Sequence, residues 1–258
     1  MTVGIVTGAA SGMGRACIDQ LRDSVEHLIA VDLRTPYIDG TIGVACDVSD
    51  PASVLQLADR VRALGTFRLL AHAAGLSPTM AQPRKIVAVN LVGTALLLDA
   101  FEPLAVQGSA AVCFASSAGY AIPLDLLGPD YAQLIHDVRD EDFLDRVEAL
   151  ISDSGLAYAW SKKGVHLEAA AAAVRWGAHG ARVTSLSPGL VDTPMGRQEF
   201  EQQPVMRGML DATPLGRLAN ASELAAVAAF LLSDAASYIS GVDLLVDGGH
   251  FAAGQATN

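Results

Sequence analysis

Short aliphatic runs recur along the chain, and most are followed by a longer stretch whose apolar residues fall three and four positions apart. Val3 to Thr7, Leu28 to Asp32, Ile42 to Cys46, Leu69 to Ala73, Ala111 to Ser116, Val183 to Ser187 and Val242 to Val246 read as strands. Helical patterns lie near 13–23, 51–64, 83–106, 159–178 and 222–233. This alternation predicts parallel strands joined by right-handed helical crossovers, so an α/β, doubly wound parallel sheet of about seven strands. The strand runs are apolar throughout, as expected where helices cover both faces of the sheet. Asp50-Pro51 opens one helix with an acid at the N-cap and proline at the first helical position. Ser222 and Glu223 open the last one.

One segment breaks the rhythm. About forty residues separate the fifth strand from Tyr158, far more than an ordinary crossover loop needs. Within it Phe143, Val147, Leu150 and Ile151 share one helical face, with Asp140, Asp142 and Asp145 elsewhere. The pattern predicts a helical insertion at about 120–157. Either it caps the core surface or, as its place after the fifth strand favours, it forms a lid or wall beside the active site. No repeat or linker divides residues 1–258, which read as a single domain.

Composition narrows the partners. With 51% hydrophobic and 17% charged residues the chain can bury a large core, and disorder is excluded. A net charge of −11 opposes nucleic-acid backbones. Cys17, Cys46 and Cys113 lack metal-type spacing and suit a reducing cytoplasm, so no metal site is expected. Val3-Gly4-Ile5-Val6 already reads as a strand, leaving no secretory signal ahead of it. Asn90, Pro103 and Glu168 interrupt the longest apolar stretches, which argues against a membrane span. The expectation is a cytoplasmic protein.

Thr7-Gly8-Ala9-Ala10-Ser11-Gly12-Met13-Gly14 joins the first strand to the first helix. Glycines there let main-chain amides approach a dinucleotide pyrophosphate, and the helix start adds donors and a positive dipole end. Gly8, Ser11, Gly12, Met13 and Gly14 are the candidate contacts. Asp32 lies 18 positions beyond Gly14, at the end of the second strand, with Leu33 behind it. A carboxylate there binds both adenosine ribose hydroxyls and repels the 2′-phosphate of NADP. Arg34 is a counter-argument, but Asp32 comes first and no basic residue stands in the loop, so NAD is the expected cofactor. Asp47 and Val48, after the third strand, would flank the adenine, unless Asp47 is simply a turn or capping acid.

Tyr158 and Lys162 in Tyr158-Ala159-Trp160-Ser161-Lys162 lie four apart, one turn above each other on a helix. A neighbouring ammonium favours the phenolate, making a proton-transfer pair suited to carbinol chemistry. With the glycine loop, this pair resembles the short-chain dehydrogenase/reductase family, a single-domain Rossmann fold, along almost the whole chain to Asp247-Gly248-Gly249. The resemblance implies an active serine in Ala115-Ser116-Ser117-Ala118-Gly119. Ser117 is preferred over Ser116, as donor to the substrate oxygen. It implies that Asn90 of Asn90-Leu91-Val92-Gly93 holds a relay water and that Lys162 also binds the nicotinamide ribose. The loop from Ser187 to Pro194 would seat the nicotinamide through Pro188, Gly189, Val191 and Thr193, ahead of a substrate-loop region at about 190–213. The family's Asn-Asn-Ala-Gly is His72-Ala73-Ala74-Gly75 here, so only Ala74 and Gly75 match, and His72 reads as a satisfied core residue. Met13 replaces the commoner isoleucine.

The insertion and the Asp-Gly-Gly tail look like the bacterial 3α-hydroxysteroid dehydrogenase/carbonyl reductase branch, with coniferyl-alcohol dehydrogenases similar. That implies NAD-dependent hydride transfer with an apolar secondary alcohol or ketone, steroid-like or aryl. The alternatives are a 3-oxoacyl reductase, which Asp32 disfavours, and an NAD-sensing regulatory protein without turnover, for which Tyr158 and Lys162 would be superfluous. Ala225, Val227, Ala228, Phe230 and Leu231 with Val242, Leu244 and Val246 suggest an apolar C-terminal surface. A two-fold homodimer is expected there, with the family's homotetramer as runner-up.

Overall fold

The computed structural model describes residues 1–256, apart from the side chains of 125 and 126. Its first half is β1 (Thr2–Thr7), α1 (Gly12–Leu21), β2 (His27–Asp32), β3 (Ile42–Ala45), α2 (Pro51–Leu64) and β4 (Thr66–His72). Then α3 (Pro83–Val87) runs through a π-helical turn, Ala88–Val92, into α4 (Gly93–Phe101), and β5 (Ala110–Phe114) follows. The insertion holds α5 (Leu124–Leu127), α6 (Pro129–Leu134) and α7 (Phe143–Leu150). After it come α8 (Ser154–Gly177), β6 (Arg182–Pro188), the short β7 (Val191–Asp192), α9 (Pro194–Gln202) and α10 (Val205–Asp211). The chain closes with β8 (Ala219–Asn220), α11 (Ala221–Leu232), β9 (Asp243–Val246) and α12 (His250–Ala256).

Seven strands form one parallel sheet in the order β3-β2-β1-β4-β5-β6-β9, the Rossmann arrangement, and β7 pairs with β8 apart from it. Successive strand residues serve opposite faces. Val3, Ile5, Ile29 and Val31 meet α2, α4 and α8, while Val6, Leu28 and Ala30 meet α1 and α11. Phe67, Phe101 and Trp176 anchor the first layer, with Phe67 edge-on to Trp176 at 5.8 Å. Strand order reverses between β1 and β4, so a crevice opens beyond their carboxyl ends.

Local signals place most boundaries. The Asp50 carboxylate accepts from the Ala52 amide at 3.1 Å, capping α2 as expected. The helix carrying Tyr158 starts a turn early, at Ser154, because Asp153 caps it by accepting from the Leu156 amide at 2.7 Å. The cap of α11 is Asn220 rather than Ser222, with Glu223 folded back onto the Asn220 amide at 2.8 Å in a capping box. The helical stretch Pro83–Leu104 is long and apolar enough to cross a membrane by composition, Asn90 notwithstanding. Its Leu97, Leu98 and Phe101 are wholly buried against the sheet, which makes it a core helix.

The insertion is helical but is not the lid that its position favours. Leu134, Ile135, Val138, Phe143, Val147 and Ile151 pack with Val87, Leu91, Ala95 and Trp160, on the outer side of α3, α4 and α8. Arg139 fastens it by ion pairs with Asp99 and the buried Glu168, both at 2.8 Å. Of the described residues from 120 to 157, only Gly155, in the first turn of α8, lines the substrate-side cavity described below. The expected C-terminal apolar surface divides: Ala225, Ala228 and Leu231 are core, while Phe230 (44%), Val242 (50%) and Leu244 (38%) are exposed.

Gly14 shows how tightly the first crossover packs: a Cβ there would lie 2.1 Å from the Gly8 carbonyl oxygen. Backbone, not a flexible side chain, would have to move. Gly14→Ala is expected to destabilise the fold by about 1–3 kcal/mol, read as a lower urea midpoint at unchanged slope. An unshifted midpoint would show that α1 can slide freely on β1.

Candidate active site

Two cavities meet at the carboxyl edge of the sheet. The first, about 260 Å³, is lined by Gly8, Ser11, Gly12, Met13, Gly14, Asp32, Leu33, Asp47, Val48, Ala74, Gly75 and Thr193. The second, about 250 Å³, is lined by Ser116, Ser117, Tyr158, Pro188, Gly189, Val191 and Thr193 among others. Met13, Thr193 and Met195 line both. The sequence-predicted cofactor residues other than Lys162 thus fall around one continuous cleft.

The first cavity fits a dinucleotide on its own geometry. Gly8 and Gly12 have φ of +67° and +55°, and a Cβ at Gly8 would lie 2.9 Å from the Ala73 carbonyl and the Ala74 amide. Ser11 stands at the N-cap of α1 without capping it, and no acid occupies the first turn, so the dipole end faces the cavity unopposed. Asp32 accepts from the Ala10 and Leu33 amides at 3.0 and 2.8 Å, which fixes its carboxylate at the mouth of the loop. Asp47 is bound to the Ser49 amide and hydroxyl at 2.9 and 2.6 Å, a turn-acid geometry, while still lining the cavity. Lys85 lines it too, 3.4 Å from Asp47. Nothing in its sequence context distinguishes this lysine from a surface one.

Tyr158 and Lys162 lie on one face of α8, with Nζ 5.9 Å from the phenol ring centroid. Burial pushes Tyr158 up to about 12, the charge of Glu199 adds to this, and a hydrogen bond from Ser116 works against it. Lys162 is pushed down to about 8 by burial and donates to the Phe114 carbonyl at 2.8 Å. The ammonium expected to favour the phenolate does not decide its protonation in the protein alone. Desolvation of the phenolate outweighs it, and Nζ is turned to the end of β5.

The two candidate serines differ in placement. Ser116, in extended backbone at φ −168°, ψ 152°, accepts from the Ala118 amide at 3.2 Å and is the hydroxyl that reaches Tyr158. Ser117 already belongs to the following 3-10 turn, although it lines the same cavity. Gly119 lets that turn lie on α8, since a Cβ there would fall 2.9 Å from His166.

Asn90 sits inside the π-helical turn, a feature common where a helix serves a site. Its Oδ1 accepts from the Leu76 amide at 2.8 Å, and its Nδ2 donates to the Leu76 carbonyl and Ser161 at 3.0 and 3.3 Å. The side chain is thereby committed to holding the segment after β4. Thr94 donates to the Asn90 carbonyl at 2.7 Å and so must accept from His72 Nε2 at 3.1 Å. His72 Nδ1 then accepts from the Thr7 hydroxyl at 2.7 Å, and Thr7 accepts from the Ala74 amide at 3.1 Å. The network assigns the Nε2–H tautomer. Burial lowers the His72 pKa to about 3, with the Lys162 charge adding to this, so His72 is the satisfied core residue expected.

Comparison with known proteins agrees with this geometry. Residues 5–129 match the NAD dependent epimerase/dehydratase family model, and residues 144–250 match the model described as enoyl-(acyl carrier protein) reductase. A short-chain dehydrogenase/reductase of Alternaria brassicicola is 33% identical over 80% of this chain and 76% of its own length. D-threitol dehydrogenase of Mycolicibacterium smegmatis is 32% identical over 96% of this chain and 92% of its own. The 3-alpha-hydroxysteroid dehydrogenase of Pseudomonas sp. B-0831, solved with NADH, superimposes with a TM-score of 0.85 at 30% identity, each chain covered completely. The chain belongs to the short-chain dehydrogenase/reductase family, and it resembles the hydroxysteroid dehydrogenase branch as its motifs implied.

The depressed His72 fixes a pH dependence. The unfolded imidazole titrates near 6.5 and the folded one near 3, so acid favours the unfolded chain across that window. Stability from this group is complete above about pH 6.5 and falls by about 1.4 kcal/mol per pH unit between the two values. His72→Asn, compared with the native chain by urea unfolding at pH 7 and pH 5, should show a smaller loss on acidification. Equal losses would contradict the neutral, buried assignment.

Proposed function

We propose that this short-chain dehydrogenase/reductase transfers a hydride between NAD and an apolar secondary alcohol or its ketone. The observation that carries the reading is the placement of Ser116 and Tyr158 in the second cavity, with Lys162 one turn along α8 from Tyr158 and Asp32 lining the adjoining first cavity. Bound NAD supplies the hydride acceptor in oxidation and the donor in reduction. Tyr158 holds the proton exchanged with the substrate oxygen, and Ser116 donates a hydrogen bond to that same oxygen as negative charge develops there. Lys162, charged at neutral pH, binds the nicotinamide ribose and lowers the cost of the phenolate. Pro188, Gly189, Val191 and Thr193 seat the nicotinamide, and Asn90 holds the neighbouring segment in register. Gly8, Ser11, Gly12, Met13 and Gly14 carry the pyrophosphate, while Asp32 takes the adenosine ribose. Leu190, Phe200, Met206 and Met209 give the substrate cavity an apolar wall, in keeping with hydroxysteroid- or aryl-type compounds. The three buried free cysteines suit the cytoplasm, and Phe230, Val242 and Leu244 suit a two-fold homodimer.

Initial rates with NAD against a panel of secondary alcohols and ketones test the reading directly. Tyr158→Phe should abolish turnover while NAD still binds. Ser116→Ala should lower kcat by roughly 10²–10³, as loss of one oxyanion donor does, with Ser117→Ala much milder. The reverse order of the two serine variants would restore Ser117 as the substrate donor.

Cofactor choice has its own measurement. The native protein should use NAD in strong preference to NADP. Asp32→Ala should narrow that ratio of kcat/KM, because the repelled 2′-phosphate then meets no carboxylate. A native chain that uses both equally contradicts the NAD reading.

A further inference from the structure

Hydride transfer leaves one group in the substrate cavity without a task. Glu199 lies on α9 and is the only charged residue lining that cavity among the described residues, which places it with Tyr158 and Ser116 at one end and Phe200, Met206 and Met209 beside it. Its carboxylate makes no hydrogen bond and no ion pair with any described residue. Acids nearby in the chain behave differently: Asp192 pairs with Arg197 at 2.6 Å and Glu223 with Arg217 at 2.8 Å, both away from this cavity. Glu199 is also no ordinary solvated surface acid. Burial raises its proton affinity, against the pull of Lys162, and its charge is felt at both Tyr158 and Lys162. A half-buried carboxylate on an apolar wall is unfavourable unless it is paired. No described residue supplies that partner, whereas a group bound in the cavity can.

We propose that Glu199 is a specificity-determining residue, taking a hydrogen-bond donor, hydroxyl or ammonium, carried by the substrate at a second position while its carbinol faces Tyr158. The inference rests on the substrate-cavity reading above and narrows it from an apolar alcohol to an apolar frame bearing a second donor. It also makes carboxylate-bearing alcohols poor substrates, since a second negative charge would face Glu199 in a partly desolvated cavity. Glu199 acts by binding the substrate and moves no proton in the transfer itself.

Four alcohols of one frame test this: cyclohexanol, cyclohexane-1,4-diol, 4-aminocyclohexanol and 4-hydroxycyclohexanecarboxylate. Each is measured as kcat/KM with NAD. Each is also measured as calorimetric affinity for the NAD-loaded Tyr158→Phe protein, which reports binding without turnover. The native chain should favour the diol and the amino alcohol over cyclohexanol by roughly 10- to 100-fold, as for a hydrogen bond to a charged group, and place the hydroxy acid last. Glu199→Leu should bring the diol and amino alcohol to the level of cyclohexanol and raise the hydroxy acid. Glu199→Gln, nearly the same shape, should keep part of the diol's advantage and lose that of the amine. Glu201→Gln, one charge fewer at an exposed position outside the cavity, should leave the ranking unchanged. A native chain that ranks the four alike, or a ranking that survives Glu199→Leu, overturns the proposal. Absence of turnover on every alcohol tried, with the calorimetric ranking intact, would instead overturn the dehydrogenase reading and leave Glu199 as a ligand-selecting group.

Discussion

The structure depends on how β1 and β4 are tied at the point where the strand order reverses. Thr7 and His72 are register partners across that pair, and their side chains continue the connection beyond the main-chain ladder. The chain of donors runs from the Ala74 amide through Thr7, His72 and Thr94, and is completed at the Asn90 carbonyl. One end fixes the turn against which Gly8 packs, and the other fixes the π-helical turn whose Asn90 holds Leu76. The floor of the dinucleotide cleft and the wall beside Lys162 are therefore set by one buried polar network. Such a network is stable only when each member is satisfied, and every donor and acceptor in this one has its partner.

Above that floor the chemistry is governed by desolvation. Tyr158, Lys162 and Glu199 are all shifted toward their neutral forms, with burial the largest cause for each. Their mutual charges act in partly compensating directions: Glu199 favours the ammonium of Lys162 and opposes the phenolate of Tyr158. Burial raises the Tyr158 phenol, so in the protein alone it is protonated at neutral pH. Positive charge brought beside the phenol tips the balance the other way. A substrate cation at Glu199 would do so as well, by cancelling the one nearby negative charge.

Much of this was legible in the sequence because it is local. The Asp50-Pro51 cap, the glycines that turn at positive φ and the Tyr158–Lys162 spacing on one helical face are each decided within a few residues. The sequence supplies no comparable signal for direction or distant packing. Ser116 and Ser117 are chemically alike, and the choice between them is made by extended dihedrals at a strand end followed at once by a 3-10 turn. The Phe143, Val147 and Ile151 face says that the insertion packs, but not on what. Its partners, Val87 and Leu91, lie on helices more than fifty residues earlier in the chain. Glu199 and Lys85 are single charges on helices, and only the fold turns them toward a cavity.

The placement of the insertion bears on assembly. It covers the outer side of α3, α4 and α8 and draws Asp99 and Glu168 into ion pairs with Arg139, so that face of the long helices is already occupied within the subunit. Its described buried apolar residues pack against Trp160, Leu91 and their neighbours. At the opposite end of the sheet the balance differs. Helix α11 buries Ala225, Ala228 and Leu231 within the subunit and exposes Phe230, while Val242, just before β9, and Leu244, within it, are exposed as well. Exposed apolar residues such as these can pair with their own copies about a two-fold axis. The two-fold homodimer proposed above therefore calls on the C-terminal residues rather than on the long-helix face.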